Sequence, residues 1–522
     1  GVPLPILYVC EDNGIGISTK SPAGWVERSL RSMPGIEYAA ADGTKPTSLL
    51  ATARDLADLV RSERRPAILH LKTVRFMGHA GSDAEIAYRS TREIEDEYEL
   101  DPLIATAGEL IRAGILTPSE AIGRYEDVRE NVMEQAKSIS EVHRLGSSRV
   151  ITAPITARKE VLTPIASLER RALAFGAKPP ELDGDLTLAQ TINATLKDAL
   201  AARPEALVFG EDVAKKGGVY GVTRGLRKAF GSTQVFDTLL DEQTILGTAL
   251  GSALAGFVPI PEIQYLAYLH NAEDQLRGEA ATLRFFSNGQ FTNGMVVRVA
   301  GLAYQKGFGG HFHNDNSVAV LRDIPGVVLA VPSHPGNAAG LFRQCLQLAA
   351  EGRVCVYLEP IALYHQRDLH EGDGAWLAPY AAPELWDADQ TSALGQVLTI
   401  GAGTDVLLVT FGNGVPMSLR ATTALAEEGI TTTVLDLQWL SPLPREELVR
   451  IAEAFPRVLV VDETRESGGV SESVVTALID GGYEGVVRRV TSVDSFIPLG
   501  PAADHVLLSE IDIAGAVRAM FR

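Results

Sequence analysis

The chain has 522 residues, 46% hydrophobic and 22% charged, with 47 Lys and Arg against 66 Asp and Glu for a formal charge of −19. At about 100–200 residues per domain this predicts a globular chain of roughly three or four units, and the acidic balance excludes nucleic acid or an anionic membrane, whose phosphates need a surplus of Lys and Arg. No apolar run is long enough to span a bilayer and none has the make-up of a signal peptide, while Cys10, Cys345 and Cys355, odd in number and without CxxC spacing, predict a cytoplasmic setting.

Residues 4–10 read as a strand. They follow Gly1 directly, with no Met, and a buried strand seldom starts at a chain end, so further sequence is expected ahead of Gly1. Leu49, Ala53, Leu56, Leu59 and Val60 recur at helical spacing, and residues 66–71 form the next apolar strand. Residues 93–138 are charged and mostly helical. Residues 147–185 mix Thr-Ala-Pro, Thr-Pro and Lys-Pro-Pro and read as a linker. A helix over 186–200 and a strand over 206–209 open a second unit that runs to about residue 358. In the third unit, strands at 405–411, 432–437 and 457–462 flank a helix over 419–428. Strands alternating with longer helical patterns predict an α/β fold of parallel sheets with crossover helices.

Four segments carry polar groups in suggestive patterns. Residues 238–243 carry Asp241 and Glu242 and precede an apolar run with Gly247 and Gly251 at four-residue spacing, which suits close packing against another helix at an interface. The two acids are either helix-capping groups or include one carboxylate that shares a proton with a ligand in a packed pocket. Residues 307–317 form a Gly-rich loop with His311, His313 and Asp315. It reads as a metal site lacking further ligands, as a histidine held for proton transfer, or as a solvated loop. Arg75 to Asp83 follows a predicted strand and either holds phosphate through Arg75 and His79 or is ordinary surface. Residues 10–18 offer oxygens to a cation such as Mg²⁺ or form a plain Asn-Gly turn.

In order and spacing these segments resemble the thiamine-diphosphate-dependent decarboxylating component of 2-oxo acid dehydrogenase complexes, with its α-type and β-type halves fused and the N-terminal end of the α-type half missing. The β-type resemblance rests on Gly210-Glu211-Asp212-Val213, Gly217-Gly218-Val219-Tyr220, residues 239–243, Glu262-Ile263-Gln264-Tyr265, Ala280 and Ser287-Asn288-Gly289-Gln290. It continues through the His313 loop, residues 432–444 and Val461-Asp462-Glu463. The α-type resemblance covers Gly1 to about Ala136, through the Asn13 turn, the loop 75–83, Tyr88-Arg89 and Asp101-Pro102.

The resemblance implies a thiamine-diphosphate-binding fold with helices on both faces of parallel sheets and a transketolase-like C-terminal α/β domain. The implied division is an α-type part at 1–146 with a helical tail, a linker at 147–185, a pyrimidine-binding domain at 186–384 and the C-terminal domain at 385–522. Glu242 corresponds to the carboxyl that hydrogen-bonds the aminopyrimidine of thiamine diphosphate, and Leu240 and Tyr268 to residues packed against that ring. His313 and His79 correspond to histidines at the reaction centre. Arg75 and His79 would reach the diphosphate, and Asn13 with the Ile15 carbonyl would bind Mg²⁺. The implied activity is oxidative decarboxylation of a 2-oxo acid, a branched-chain acid ranked ahead of pyruvate, with acyl transfer to the lipoyl group of a partner acyltransferase. A homodimer of fused chains is the implied assembly.

The sequence departs from the family at several points. The loop at His313 reads Phe-His-Asn-Asp-Asn-Ser where relatives carry a His-Ser-Gln-Ser type of run. Ala80 and Ala87 stand at the two regulatory serine positions of kinase-controlled members, which argues against that control. The family's Gly-Asp-Gly metal motif is expected ahead of residue 1. Two other readings compete: a transketolase-like carbon–carbon transferase, disfavoured because the His313 loop offers no basic residue for a sugar phosphate, and a non-catalytic assembly subunit.

Overall fold

The structure, a computed structural model, describes residues 3–140, 142, 144–156, 161, 164–176, 178–305, 309–385 and 391–522. Gly1 and, in the Gly-rich loop, Gly307 and Phe308 lie outside the described residues. The chain divides into two compact units, Gly1–Arg144 and Leu145–Arg522.

The first unit is built on a parallel sheet in which Ala67–Lys72 lies between Leu7–Asp12 and Glu37–Asp42. The central strand is buried from Ala67 to Leu71, as a parallel strand covered on both faces must be. Helix Pro46–Glu63 packs Leu56 and Val60 into this core. The first strand starts later than the apolar pattern suggests, because Pro3 and Pro5 cannot donate to a ladder. Its pairing continues to Asp12 opposite Lys72, so the Asn13 turn and the chain leading to Arg75 leave the same carboxyl edge. The charged region then forms three helices, Thr91–Tyr98, Pro102–Arg112 and Pro118–Ser140.

In the second unit a seven-stranded sheet runs Trp439–Ser441, Val328–Ala330, Val354–Pro360, Met295–Gly301, Val258–Ile263, Ala206–Gly210, Val235–Asp237. All its pairs are parallel except the one made by Trp439–Ser441. Alternate strand residues face opposite layers. Leu207 and Phe209 join Ile245 and Leu246 of the helix Glu242–Leu254, whereas Ala206 and Val208 join helices Leu188–Ala202 and Pro335–Ala350. Helices therefore cover both faces. A second sheet, Leu398–Ile400, Thr432–Asp436, Val406–Thr410, Arg457–Arg465, Val486–Ser492, is parallel apart from its first edge strand. The two sheets share one core, in which Leu407 and Val409 pack with Val297 and Val356.

The described part of the predicted linker contains helices Ser148–Thr156 and Leu168–Phe175. Arg171 is buried there, bonded to Asp198 at 2.7 Å and Glu181 at 2.8 Å, which docks the segment on the helix Leu188–Ala202. Its Thr- and Pro-rich surroundings hid a helix capped by Ser167. On the helix Glu242–Leu254 a Cβ at Gly247 or Gly251 would meet nothing within 4 Å, so among the described residues this glycine face is open, as an interface between chains requires. Among the described residues no helix is long and apolar enough to cross a membrane.

Candidate active site

In the first unit the strand Leu7–Asp12 ends in two overlapping side-chain turns. Asp12 Oδ1 accepts from Gly14 N at 2.9 Å and Asn13 Oδ1 from Ile15 N at 3.1 Å. Gly14 sits at φ 72°, a conformation free of strain only for glycine. The turn thus fixes the Asn13 amide oxygen, which keeps a second lone pair for another partner. Behind it runs a chain of polar groups: Asp12 Oδ2 meets His70 Nε2 at 3.0 Å, and His70 Nδ1 meets the Tyr38 hydroxyl at 2.8 Å. His70 is 1% exposed, in the middle of an apolar strand.

Arg75 reaches the same turn. Its Nη1 donates to the Ile17 carbonyl and its Nη2 to the Tyr88 hydroxyl, both at 2.8 Å. Tyr88 donates in turn to Asp83 Oδ2 at 2.7 Å, an oxygen that also accepts from the His79 backbone N–H. The Tyr88 hydroxyl, then the His79 amide, hold the Asp83 carboxyl below its ordinary range. Gly78 is required in this loop, since a Cβ there would run into the Asp83 carbonyl. The His79 side chain is exposed, and the Arg75 Nε is buried with no partner. Asn13, Ile15, Arg75 and His79 therefore belong to one cluster. Among the described residues no group of three or more His, Cys, Asp and Glu is placed to hold a metal ion.

In the second unit the two acids at the start of helix Glu242–Leu254 part company. Asp241 precedes the helix and bonds the Thr244 hydroxyl. Glu242 turns inward, 7% exposed, and its Oε2 accepts from Asn271 Nδ2 at 3.0 Å. Leu240 is 70% exposed beside it. Burial raises the Tyr268 hydroxyl, with Tyr265, Glu211 and Glu242 adding to the effect. The Glu211 carboxyl is likewise raised, first by burial and then by the charges of Asp212 and Glu242. The raised Glu211 carboxyl and Tyr268 hydroxyl both favour their protonated forms beside Glu242.

His313 stands against the same aromatic wall. Its ring meets Tyr265 edge-on at 4.5 Å between centroids and Tyr268 at 6.4 Å. His313 Nδ1 lies 3.2 Å from the Gly309 carbonyl. A carbonyl only accepts, so Nδ1 is the donor in this contact. Glu242, Tyr268 and His313 thus form a second cluster. Sequence reasoning gave no role to Glu211, Tyr265, Asn271, His70 or Tyr38. The Gly210-Glu211-Asp212 turn at a strand's carboxyl end and the Glu262-Ile263-Gln264-Tyr265 run were the available signals, for Glu211 and Tyr265.

Three family descriptions match the chain: dehydrogenase E1 component over residues 2–145, transketolase pyrimidine binding domain over 185–364 and transketolase C-terminal domain over 395–513. The subunit beta of a pyruvate dehydrogenase E1 component from Staphylococcus epidermidis is 33% identical over 342 residues, covering 64% of this chain and 98% of the relative. Its counterpart from Bacillus subtilis is 31% identical over 341 residues, with the same shares. A solved structure described as a split-gene transketolase, an inactive beta4 tetramer, aligns with 65% of the chain and 98% of its own at a TM-score of 0.49 and 22% identity.

Proposed function

Since the chain belongs to the E1 family of thiamine-diphosphate-dependent 2-oxo acid dehydrogenases, we propose that it decarboxylates a short 2-oxo acid and passes the acyl group to a lipoyl arm of a partner acyltransferase. The observation that carries this reading is the buried Glu242 carboxyl, held by Asn271 beside Tyr268 and His313. The cofactor fits these groups. In the second unit Tyr268 and the exposed Leu240 suit an aromatic ring and Glu242 its ring nitrogen; in the first unit, taken by itself, the unpartnered Arg75 Nε is a donor suited to a phosphate oxygen. Asn13 Oδ1 and the Ile15 carbonyl would hold Mg²⁺, a hard cation that takes oxygen ligands. When bound, thiamine diphosphate supplies the nucleophilic carbon and the electron sink that decarboxylation requires.

The residues of this chain then have separate tasks. Glu242 holds a proton against the aminopyrimidine nitrogen. His313 takes or returns a proton at the substrate oxygen, and His79 assists acyl transfer. Oxidation of the acyl carbon is balanced by reduction of the lipoyl disulfide. The assembly we propose is a homodimer of fused chains, and the exposed Gly247–Gly251 face supports it.

The named relatives support pyruvate as the substrate, while a branched-chain 2-oxo acid is the competing reading from sequence. Full-length protein with thiamine diphosphate, Mg²⁺ and an artificial electron acceptor is expected to turn over at least one of them, and the ratio of kcat/KM values ranks the two. Each methylene of difference in an apolar pocket is expected to be worth about 10–200-fold, and a branched-chain acid carries at least two carbons more than pyruvate. No turnover of any 2-oxo acid would overturn the proposal.

A further inference from the structure

Adjacent residues after the short helix Leu266–Leu269 reach two separate parts of the candidate site. Asn271 grips the first turn of the Glu242 helix twice: its Nδ2 donates to Glu242 Oε2, and its carbonyl accepts from Gln243 Nε2, each at 3.0 Å. His270 Nε2 lies 3.4 Å from Asp315 Oδ2, in the loop that carries His313. Asp315 is buried and is shared with the Ser317 hydroxyl at 2.6 Å and with Arg465 at 3.4 Å. Tyr268, just before the pair, places its ring against His313.

We propose that His270 and Asn271 are paired positioning residues that hold the Glu242 carboxyl and the His313 loop in register, an inference that rests on Glu242 and His313 serving the reaction. A buried carboxylate with one oxygen fixed has one rotamer to offer a ligand. Without the Asn271 amide, Glu242 loses both that constraint and a charge-assisted hydrogen bond. Asp315 needs cations because an unpaired buried carboxylate is costly, and His270 shares that duty with Arg465.

The His270 arm titrates. Its hydrogen bond to Asp315 raises the imidazole above its ordinary value. The charged groups facing it are the acids Asp315 and Glu273, opposed by the cation Arg465. A raised histidine contributes its full stabilisation below the unfolded value of about 6.5 and loses it as pH rises through the folded value. The loop is therefore expected to loosen on the alkaline side.

The test compares Asn271→Ala, His270→Phe, His270→Gln and the Asn271→Ala/His270→Phe double variant in the full-length holoenzyme. Asn271→Ala is expected to lower kcat about 10–100-fold, as for a lost hydrogen bond to a charged group, and to weaken thiamine diphosphate binding measured by calorimetry. His270→Phe should raise hydrogen exchange over residues 309–317. His270→Gln, which can donate to Asp315 at any pH, should keep the loop protected and remove the alkaline limb of that exchange. The double variant should lose less than the product of the single effects. Wild-type cofactor affinity in Asn271→Ala together with unchanged exchange in His270→Phe would overturn the clamp. If Glu242→Gln abolishes activity in the same series, the functional reading survives that failure; if Glu242→Gln is fully active, the functional reading itself falls.

Discussion

Replacing Glu242 with Gln is expected to lower turnover by about 10²–10⁴-fold, the range supplied by a positioned acid–base group, with the fold left intact. The exchange is isosteric. The new side-chain oxygen can still accept from Asn271, and the loss of a negative charge at a helix N-terminus costs only about 0.3–1 kcal/mol. What disappears is the capacity to hold a proton against a ring nitrogen, because an amide neither gains nor releases one near neutral pH. The neighbouring Glu211, raised in part by the charge on Glu242, should move back toward its ordinary value, so residual activity should also show a displaced pH profile. Decarboxylation with an artificial acceptor measures the loss, and an unchanged melting temperature separates it from unfolding. Activity within about twofold of the parent would remove Glu242 from the proton role.

The features legible in the sequence are those written in contiguous residues. Apolar runs at 206–209 and 405–411 become the buried strands Ala206–Gly210 and Val406–Thr410 because their alternate residues face two covering layers. Glu242 was readable because it starts an apolar helix after a distinctive turn. Its partner was not, since Asn271 lies 29 residues away and meets it only after a strand and a short helix have been packed. His70 illustrates a different failure. A lone histidine in an apolar run resembles a core residue, and only strand register brings it between Tyr38 and Asp12. Val461-Asp462-Glu463 could be quoted as a motif, yet nothing local announces that Glu463 is wholly enclosed. Burial pushes its carboxyl up to about 8, and it accepts from both nitrogens of Asn413 at 2.8 Å.

Arg298→Met is expected to be the most destabilising single change in the second unit, by about 3–5 kcal/mol, the cost of breaking a buried ion pair from one side. Arg298 lies on the strand Met295–Gly301, 1% exposed, between strands that carry Glu262 and Glu359. Its Nε and Nη2 bond the two Glu359 oxygens at 2.7 and 2.8 Å, its Nη1 bonds Glu262, and the Tyr364 hydroxyl donates to Glu359 at 2.5 Å. Three adjacent strands are joined by this one guanidinium, whose planar fork matches two carboxylates as a lysine cannot. Methionine fills much of the volume but leaves two acids facing each other in the sheet. Burial already raises Glu262 despite its cation, and without Arg298 this carboxyl should rise further and take up a proton. The folded variant then binds more protons than the unfolded chain, so its stability should increase as pH falls and decline as pH rises above the unfolded glutamate value of about 4.3. Replacing the acids as well, in an Arg298→Met/Glu262→Gln/Glu359→Gln variant, should recover part of the loss and flatten this dependence. Thermal unfolding between pH 5 and 8, followed by circular dichroism, distinguishes the cases. A single variant whose stability is unchanged, or which weakens as pH falls, would show that the acids do not depend on Arg298 for their charge.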